Sequence, residues 1–157
     1  MTAPSMFDQI VKFFSAPEAA SRPGSPDATR LAIAALLVEA AKSDGTYREG
    51  ERYVVAGLLR RMFGGEEADA ERLVIEAEHA LAKSVQLFRF TRPIVERVPP
   101  EDRIGIVELL WETVYADRIL TAEEDSLVRR VAGLLYVSDR DRGAARLKVL
   151  KRLGISE

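Results

Sequence analysis

Apolar residues recur along this chain at the three- and four-residue spacing of amphipathic helices, and no segment keeps the two-residue alternation of a strand. The pattern predicts six helices, at residues 26–43, 48–63, 66–83, 101–116, 121–136 and 138–153. A further helical stretch at 87–98 contains Pro93, which should kink it or delay its start. Gly64 marks the end of the second helix, and Thr121 opens a capping box. We therefore predict an all-α fold, a single domain of seven to eight helices.

A short amphipathic helix is also predicted near the N-terminus, where four apolar residues have helical spacing: Phe7, Ile10, Val11 and Phe14. Residues 15–25 are rich in Pro, Gly, Ser and Ala and are typical of a linker. Packing against the rest of the protein is favoured over docking on lipid, because no basic residues flank the start of the segment. The predicted organisation is an N-terminal helix and linker at 1–25 and a helical domain at 26–157.

The helix faces also predict a core. Nine residues on apolar faces are expected to be buried: Leu36, Leu37, Val55, Leu58, Leu109, Leu110, Trp111, Val128 and Leu135. Four aromatic residues are interpreted as core rather than as a stacking platform: Trp111, Tyr115, Phe88 and Phe90. His79, the only histidine, is expected to be exposed on a helix.

The composition of the chain argues against several classes of function. A formal net charge of −2 over 157 residues gives no pull toward nucleic acid, and the absence of cysteine excludes disulfides and thiolate metal sites. The longest apolar run, residues 31–38, is far shorter than the roughly 20 residues of a spanning helix, and the N-terminus lacks a secretory signature. We expect a cytoplasmic protein that binds no nucleic acid and does not insert stably into a membrane; peripheral membrane association stays open. The basic residues of the last helix are interpreted as a solvated face.

An internal repeat appears when the chain is shifted by 73 residues. Both copies then contain the pattern E-x4-D-x6-E, in which the aspartate follows one helix and the second glutamate begins the next. The two triads are Glu39, Asp44 and Glu51, and Glu112, Asp117 and Glu124. The repeat predicts two helix–loop–helix halves related by pseudo-twofold symmetry.

The positions of these acids differ in how well local rules explain them. The first glutamate of each triad lies in a nearly all-apolar helix, where a carboxylate is partly desolvated and needs a cation or hydrogen-bond donors. The aspartate lies at a helix C-terminus, where the macrodipole disfavours negative charge, whereas the second glutamate lies in a first turn, where it is favoured. Two interpretations stay open: a cation site, or ordinary Asx turns, helix caps and pairing with a buried arginine.

The stretch L-L-V-E-A-A-K-S-D-G at 36–45 and the stretch L-L-W-E at 109–112, with their acidic residues, resemble the tellurite-resistance TerB family. The resemblance extends over about residues 31–150. It implies a compact all-helical fold of two pseudo-twofold halves, an association with tellurite and stress resistance, and chelation of a divalent metal. Carried over by position, the metal ligands would be Glu39, Asp44, Glu51, Glu112, Asp117 and Glu124.

One departure from the family pattern concerns the second loop, which has Arg118 where the first has Gly45. Arg118 brings a cation beside Asp117, so the first half is expected to bind metal more tightly. The first loop is not an EF-hand, because counting from Asp44 places Val55 where the bidentate glutamate should be.

No nucleophile, convincing base pair or cofactor motif is present in the sequence, so we expect a protein that is not an enzyme. The first hypothesis is a binding module for a hard divalent cation of the Ca²⁺ or Mg²⁺ class, with no other cofactor. The alternative is a protein-interaction scaffold whose acidic patch binds a basic partner without metal. A third hypothesis, a metal-dependent hydrolase, requires a substrate-sized cleft.

Overall fold

The computed structural model describes residues 26–43, 45–83 and 86–156, and these ranges form seven helices and no strand. The helices are α1 Pro26–Lys42, α2 Glu49–Phe63, α3 Glu67–Lys83, α4 Phe88–Arg97, α5 Pro100–Val114, α6 Ala122–Leu134 and α7 Asp139–Leu153. The all-α prediction is confirmed. The predicted N-terminal helix and linker, and also Asp44, lie outside the described residues.

Two helices, α1 and α5, form the centre of the domain. Helix α1 contacts α2 through α6, and α5 contacts α1, α2, α6 and α7. Residues 32–38 are all buried, and so is nearly every residue of α5. Since these helices are covered on all sides, they are apolar almost all round, and the outer helices carry the amphipathic pattern. No helix in the described ranges is long and apolar enough to cross a membrane.

The predicted core is confirmed: all nine aliphatic and aromatic side chains named for it are buried. Trp111 is almost fully enclosed, and its indole Nε1 donates a hydrogen bond to the Arg142 carbonyl oxygen at 3.0 Å. Phe90 is 7% exposed, as expected, but Phe88 is 58% exposed, so its assignment to the core was wrong. Residues two apart on a helix of 3.6 residues per turn lie on nearly opposite sides, and α4 buries only one of the two rings.

The predicted helix ends are confirmed to within about two residues. Gly64 adopts a positive φ of 75° directly after α2, and the Thr121 hydroxyl accepts a hydrogen bond from the Glu124 amide at 3.1 Å at the start of α6. Helix α4 begins at Phe88 and has Pro93 in its interior. His79 is exposed.

The basic residues of α7 are only partly a solvated face. The Arg152 guanidinium pairs with the buried carboxylates of Glu108 and Glu112, at 3.3 and 2.5 Å. Arg146 lies over the Trp111 ring and donates to the Tyr115 hydroxyl at 2.8 Å. Two cations of this helix therefore hold α7 against α5.

Candidate functional site

The loops that follow α1 and α5 share their backbone geometry at the 73-residue offset. Gly45 and Arg118 both adopt left-handed backbone conformations, with φ of 87° and 65°. The Gly45 amide donates to the Lys42 carbonyl at 3.0 Å, and the Arg118 amide donates to the Tyr115 carbonyl at 2.8 Å. Both loops thus leave their helix through the same turn. An arginine in this conformation is strained where a glycine is not.

Each loop leads into a helix whose third residue is a capping glutamate. Glu51 Oε2 accepts a hydrogen bond from the Arg48 amide at 2.8 Å, and Glu124 Oε1 accepts one from the Thr121 amide at 2.9 Å. These bonds satisfy amides at the start of each helix, and at Thr121 the cap is reciprocal, because its hydroxyl accepts from the Glu124 amide. They also fix one oxygen of each carboxylate and so orient both side chains.

Asp117 is held by its own loop. Its Oδ1 accepts a hydrogen bond from the Ile119 amide at 3.0 Å, two residues along the chain, which is the geometry of an Asx turn. The carboxylate is exposed, in contrast to the buried Glu124. The aspartate thus has a local role, and this partner engages one of its two oxygens.

The three acids meet in one small cleft between α1, α2, α5 and α6. Glu51 of α2 lines it together with Asp117 and Glu124 of the second loop and α6, and its volume is about 50 Å³. The remaining lining residues are mostly apolar: Ala41, Val54, Thr113, Val114 and Ala116. Acids of both predicted halves therefore share one cleft, which we call the acidic cleft.

Glu112 does not line this cleft. Its two oxygens accept hydrogen bonds from Arg61 Nη2 at 2.7 and 2.6 Å, and Oε1 accepts another from Arg152 Nη2 at 2.5 Å. Glu112 is almost fully buried, and the arginines neutralise a charge that burial would otherwise make costly. Sequence spacing did not identify Arg61 and Arg152 as its partners, since they lie on two other helices.

The two remaining predicted acids are placed as follows. Glu39 is half-buried on α1 and, among the described residues, has no ion-pair partner. Asp44 lies outside the described residues. Within the ranges that the structure describes, no three acidic or histidine side chains are close enough together to hold a metal ion. The acids of the cleft are thus neighbours rather than a formed ligand cluster.

Arg118 does not compete for Asp117 in this structure. Its Nη1 donates a hydrogen bond to the Leu153 carbonyl at 2.8 Å, at the C-terminus of α7. Cations favour this position because the helix dipole leaves partial negative charge there. The physical reason for expecting weaker binding at the second loop is therefore absent.

A second charged cluster, which sequence reasoning missed, joins α3 to α2 and the loop before it. Glu78 accepts hydrogen bonds from Arg52 Nε and Nη2, both at 2.8 Å, and from the Tyr47 hydroxyl at 2.6 Å. Burial would raise the pKa of Glu78, but the bonds from Arg52 and Tyr47 hold it below its usual value. Burial and the nearby carboxylate raise the pKa of Tyr47. The cluster binds helices together and opens onto no cavity among those described.

One family model matches the chain: the model described as Tellurite resistance protein TerB, over residues 30–147. The match begins within α1, ends within α7 and includes all six predicted acids. No curated protein and no solved structure matches the chain.

Proposed function

Because this chain belongs to the TerB family, we propose that it is a non-catalytic module that binds a divalent cation in the acidic cleft and serves in tellurite or stress resistance. One observation carries the proposal: Glu51 of the first helix–loop–helix and Asp117 and Glu124 of the second line the same cleft. Neighbouring carboxylates repel each other, and a bound cation removes that repulsion.

The chemistry of the cleft suits a hard cation. Its charged groups are carboxylates, the ligand type that Ca²⁺ and Mg²⁺ prefer, and no sulfur is available in a chain without cysteine. The backbone amides that bond to each acid would keep the side chains oriented toward a bound ion. We propose that the cation draws the three carboxylates closer together than they are in this structure.

The size of the cleft supports binding rather than catalysis. The cleft has a volume of about 50 Å³, whereas sites that enclose organic substrates measure about 300–1,000 Å³. A cleft of this size favours an ion over an organic substrate.

The shared loop geometry supports a further part of the proposal, that the two helix–loop–helix units arose by duplication and are related by pseudo-twofold symmetry. Turns, capping glutamates and left-handed residues recur at the same offset in both loops. Under this arrangement the cleft lies where the two units meet, and Asp44 is the first-half counterpart of Asp117.

The alternative function is a scaffold in which the same acids bind a basic partner. It is favoured by the observation that the described residues contain no ready-made group of three metal ligands. On this alternative the acids cap helices and close the Asx turn, and the cleft offers negative charge to lysine or arginine side chains.

Thermal unfolding with and without millimolar Ca²⁺, Mg²⁺ or Mn²⁺ distinguishes these functions. A cation at a hundredfold excess over its dissociation constant should stabilise the fold by about 2.7 kcal/mol. For a chain of this size that corresponds to about 5–11 °C in the unfolding midpoint. If none of the three ions shifts the unfolding midpoint, the cation site is contradicted and the scaffold function is favoured.

Conservative variants locate the site. Glu51→Gln and Glu124→Gln should each remove most of the shift while keeping the helix cap, because a glutamine side-chain oxygen can accept the same hydrogen bond from the backbone amide. Asp117→Asn should remove it as well. Asp125→Asn is the matched control, since Asp125 follows Glu124 in the chain but pairs with Arg129 on the surface. Loss of tellurite resistance in the cleft variants, but not in the control, would connect the cation to the proposed role.

A further inference from the structure

A large open groove lies on the side of the domain formed by α1, α3 and α4. Its volume is about 470 Å³, and Leu31, Ala32, Ala80, Phe90 and Pro93 line it. Most of these side chains are buried or half-buried at its floor, while Phe88, one of the exposed large apolar residues, lies in the neighbouring first turn of α4. The groove thus offers apolar surface of a size that other sites use to enclose large apolar groups.

A segment of matching character precedes α1 in the same chain. Phe7, Ile10, Val11 and Phe14 have the spacing of one helix face, and an eight-residue helix at 7–14 would be about 12 Å long. Such a face gains stability only when another apolar surface covers it. A segment this short is marginal as an isolated helix in water, so it needs a surface to dock on.

The connection between segment and groove is short and starts beside the groove. Ala28, Leu31 and Ala32, in the first turns of α1, line the groove wall. Residues 15–25 separate the segment from α1, and eleven residues span at most about 36–40 Å. Such a tether gives an effective concentration on the order of millimolar, which favours this segment over a second copy of the chain at ordinary protein concentrations.

The charges at the rim also suit the segment. Lys83 and Arg89 stand at the groove with Glu76, and the segment carries Asp8 and Lys12. Asp8, on the flank of the apolar face, therefore has the opposite charges of Lys83 and Arg89 available at the rim. An anionic lipid surface is the weaker fit, because the segment has one basic residue and one acidic residue.

We propose that the N-terminal amphipathic segment, residues 7–14, folds back as a helix and docks its apolar face in the groove between α1, α3 and α4. The segment is then an eighth helix of the domain that covers Leu31, Ala80 and Pro93.

Spin labelling of the full chain tests this docking directly. Because the chain has no cysteine, Gln9→Cys introduces a single attachment site, on the side of the segment opposite its apolar face. A nitroxide there should remove most of the intensity of the Ala80, Lys83 and Arg89 amide signals. The amide of Gly143, on α7, should keep its intensity, because α7 packs against α5 and α6.

Two neighbouring phenylalanines provide a matched pair of variants. Phe14→Ser in the labelled chain should restore the groove signals, because Phe14 lies on the apolar face. Phe13→Ser should leave them broadened, because helical spacing places Phe13 off that face. Ala80→Glu should also restore the signals; if it disturbs folding, Phe14→Ser still tests the docking from outside the described domain.

Several results would overturn the proposal. Weak broadening spread evenly over the surface would mean that the segment does not dock, and broadening centred elsewhere would mean another docking site. If the groove signals of an unlabelled, isotope-enriched copy broaden when labelled copies are added, the occupant is a second chain. If vesicles of phosphatidylcholine and phosphatidylserine bind the segment while the groove signals are unaffected without vesicles, the segment is a lipid anchor.

Discussion

Removing the two arginines that surround Glu112 should destabilise the protein more than removing the charge of Glu112 itself. The Glu112 side chain is 5% exposed, whereas those of Arg61 and Arg152 are 48% and 43% exposed. After Glu112→Gln the guanidinium groups can turn to water. After Arg61→Met with Arg152→Met, a buried carboxylate loses every cation shown to pair with it.

The magnitudes follow from this asymmetry. Breaking a buried ion pair so that one charge stays buried costs about 3–5 kcal/mol. The double methionine variant should reach this range, because Glu108, whose side chain is 4% exposed, also loses Arg152. Glu112→Gln should cost about 1–2 kcal/mol, since charge-assisted hydrogen bonds are lost but no charge is stranded. Methionine retains most of the apolar stem, which limits the loss of packing.

Urea-induced unfolding with linear extrapolation measures both free energies. Arg60→Met is the control, since Arg60 is the exposed neighbour of Arg61 and its Nε donates a hydrogen bond to the Gly65 carbonyl at 3.2 Å. If the double methionine variant costs no more than Glu112→Gln, the carboxylate does not depend on these cations. Glu112→Gln should also leave any stabilisation by divalent ions unchanged, in contrast to Glu51→Gln. If Glu112→Gln abolishes that stabilisation, Glu112 takes part in cation binding.

Three further predictions concern stability. Leu110→Ala, at a fully buried position, should lower the unfolding free energy by about 2–5 kcal/mol in chemical denaturation, and a loss below about 1 kcal/mol would contradict tight packing there. Since the pKa of Glu78 is lowered in the fold, its stabilisation is present above the unfolded pKa and is lost as pH falls through the folded one. Arg52→Met should therefore lower the unfolding free energy, measured in urea, by less below about pH 4 than at neutral pH. A loss that stays constant from pH 7 to 3 would refute this. In the same assay, the unfolding free energy of Arg118→Gly should exceed that of Arg118→Ala by about 1 kcal/mol, because only glycine adopts the positive φ of 65° without strain. Equal unfolding free energies would show that this backbone conformation is not strained.

Much of the fold could be predicted from the chain because its determinants are local. Helix periodicity, glycine after α2 and the Thr121 capping box fix where helices begin and end, and the nearly all-apolar runs of α1 and α5 are typical of helices covered on most sides. Phe88 shows the limit of this reasoning. Aromatic character alone does not indicate a side, and the face of a ten-residue helix is decided by its neighbours in space.

The candidate site, too, could be predicted only where the determinants of a residue's role are local. The capping roles of Glu51 and Glu124 follow from the first-turn position that sequence reasoning assigned to them, whereas their placement in a common cleft is seen only in the fold. The surroundings of Glu112 and the direction of Arg118 depend on α2 and α7, which are far away in the sequence. The spacing of residues along the sequence does not show which distant side chains meet in the fold.

Acids that belong to one sequence pattern therefore do not have to share one chemistry. Glu112 and Glu124 belong to the same triad, yet one is neutralised by arginines of two other helices and the other caps its own helix at the acidic cleft. The difference has a physical origin. A glutamate in the middle of a buried helix must be neutralised by the fold, whereas a first-turn glutamate is favoured by the helix dipole. Among the acids of the second triad, Asp117 and Glu124 rather than Glu112 line the acidic cleft, where an ion or a basic partner would meet them.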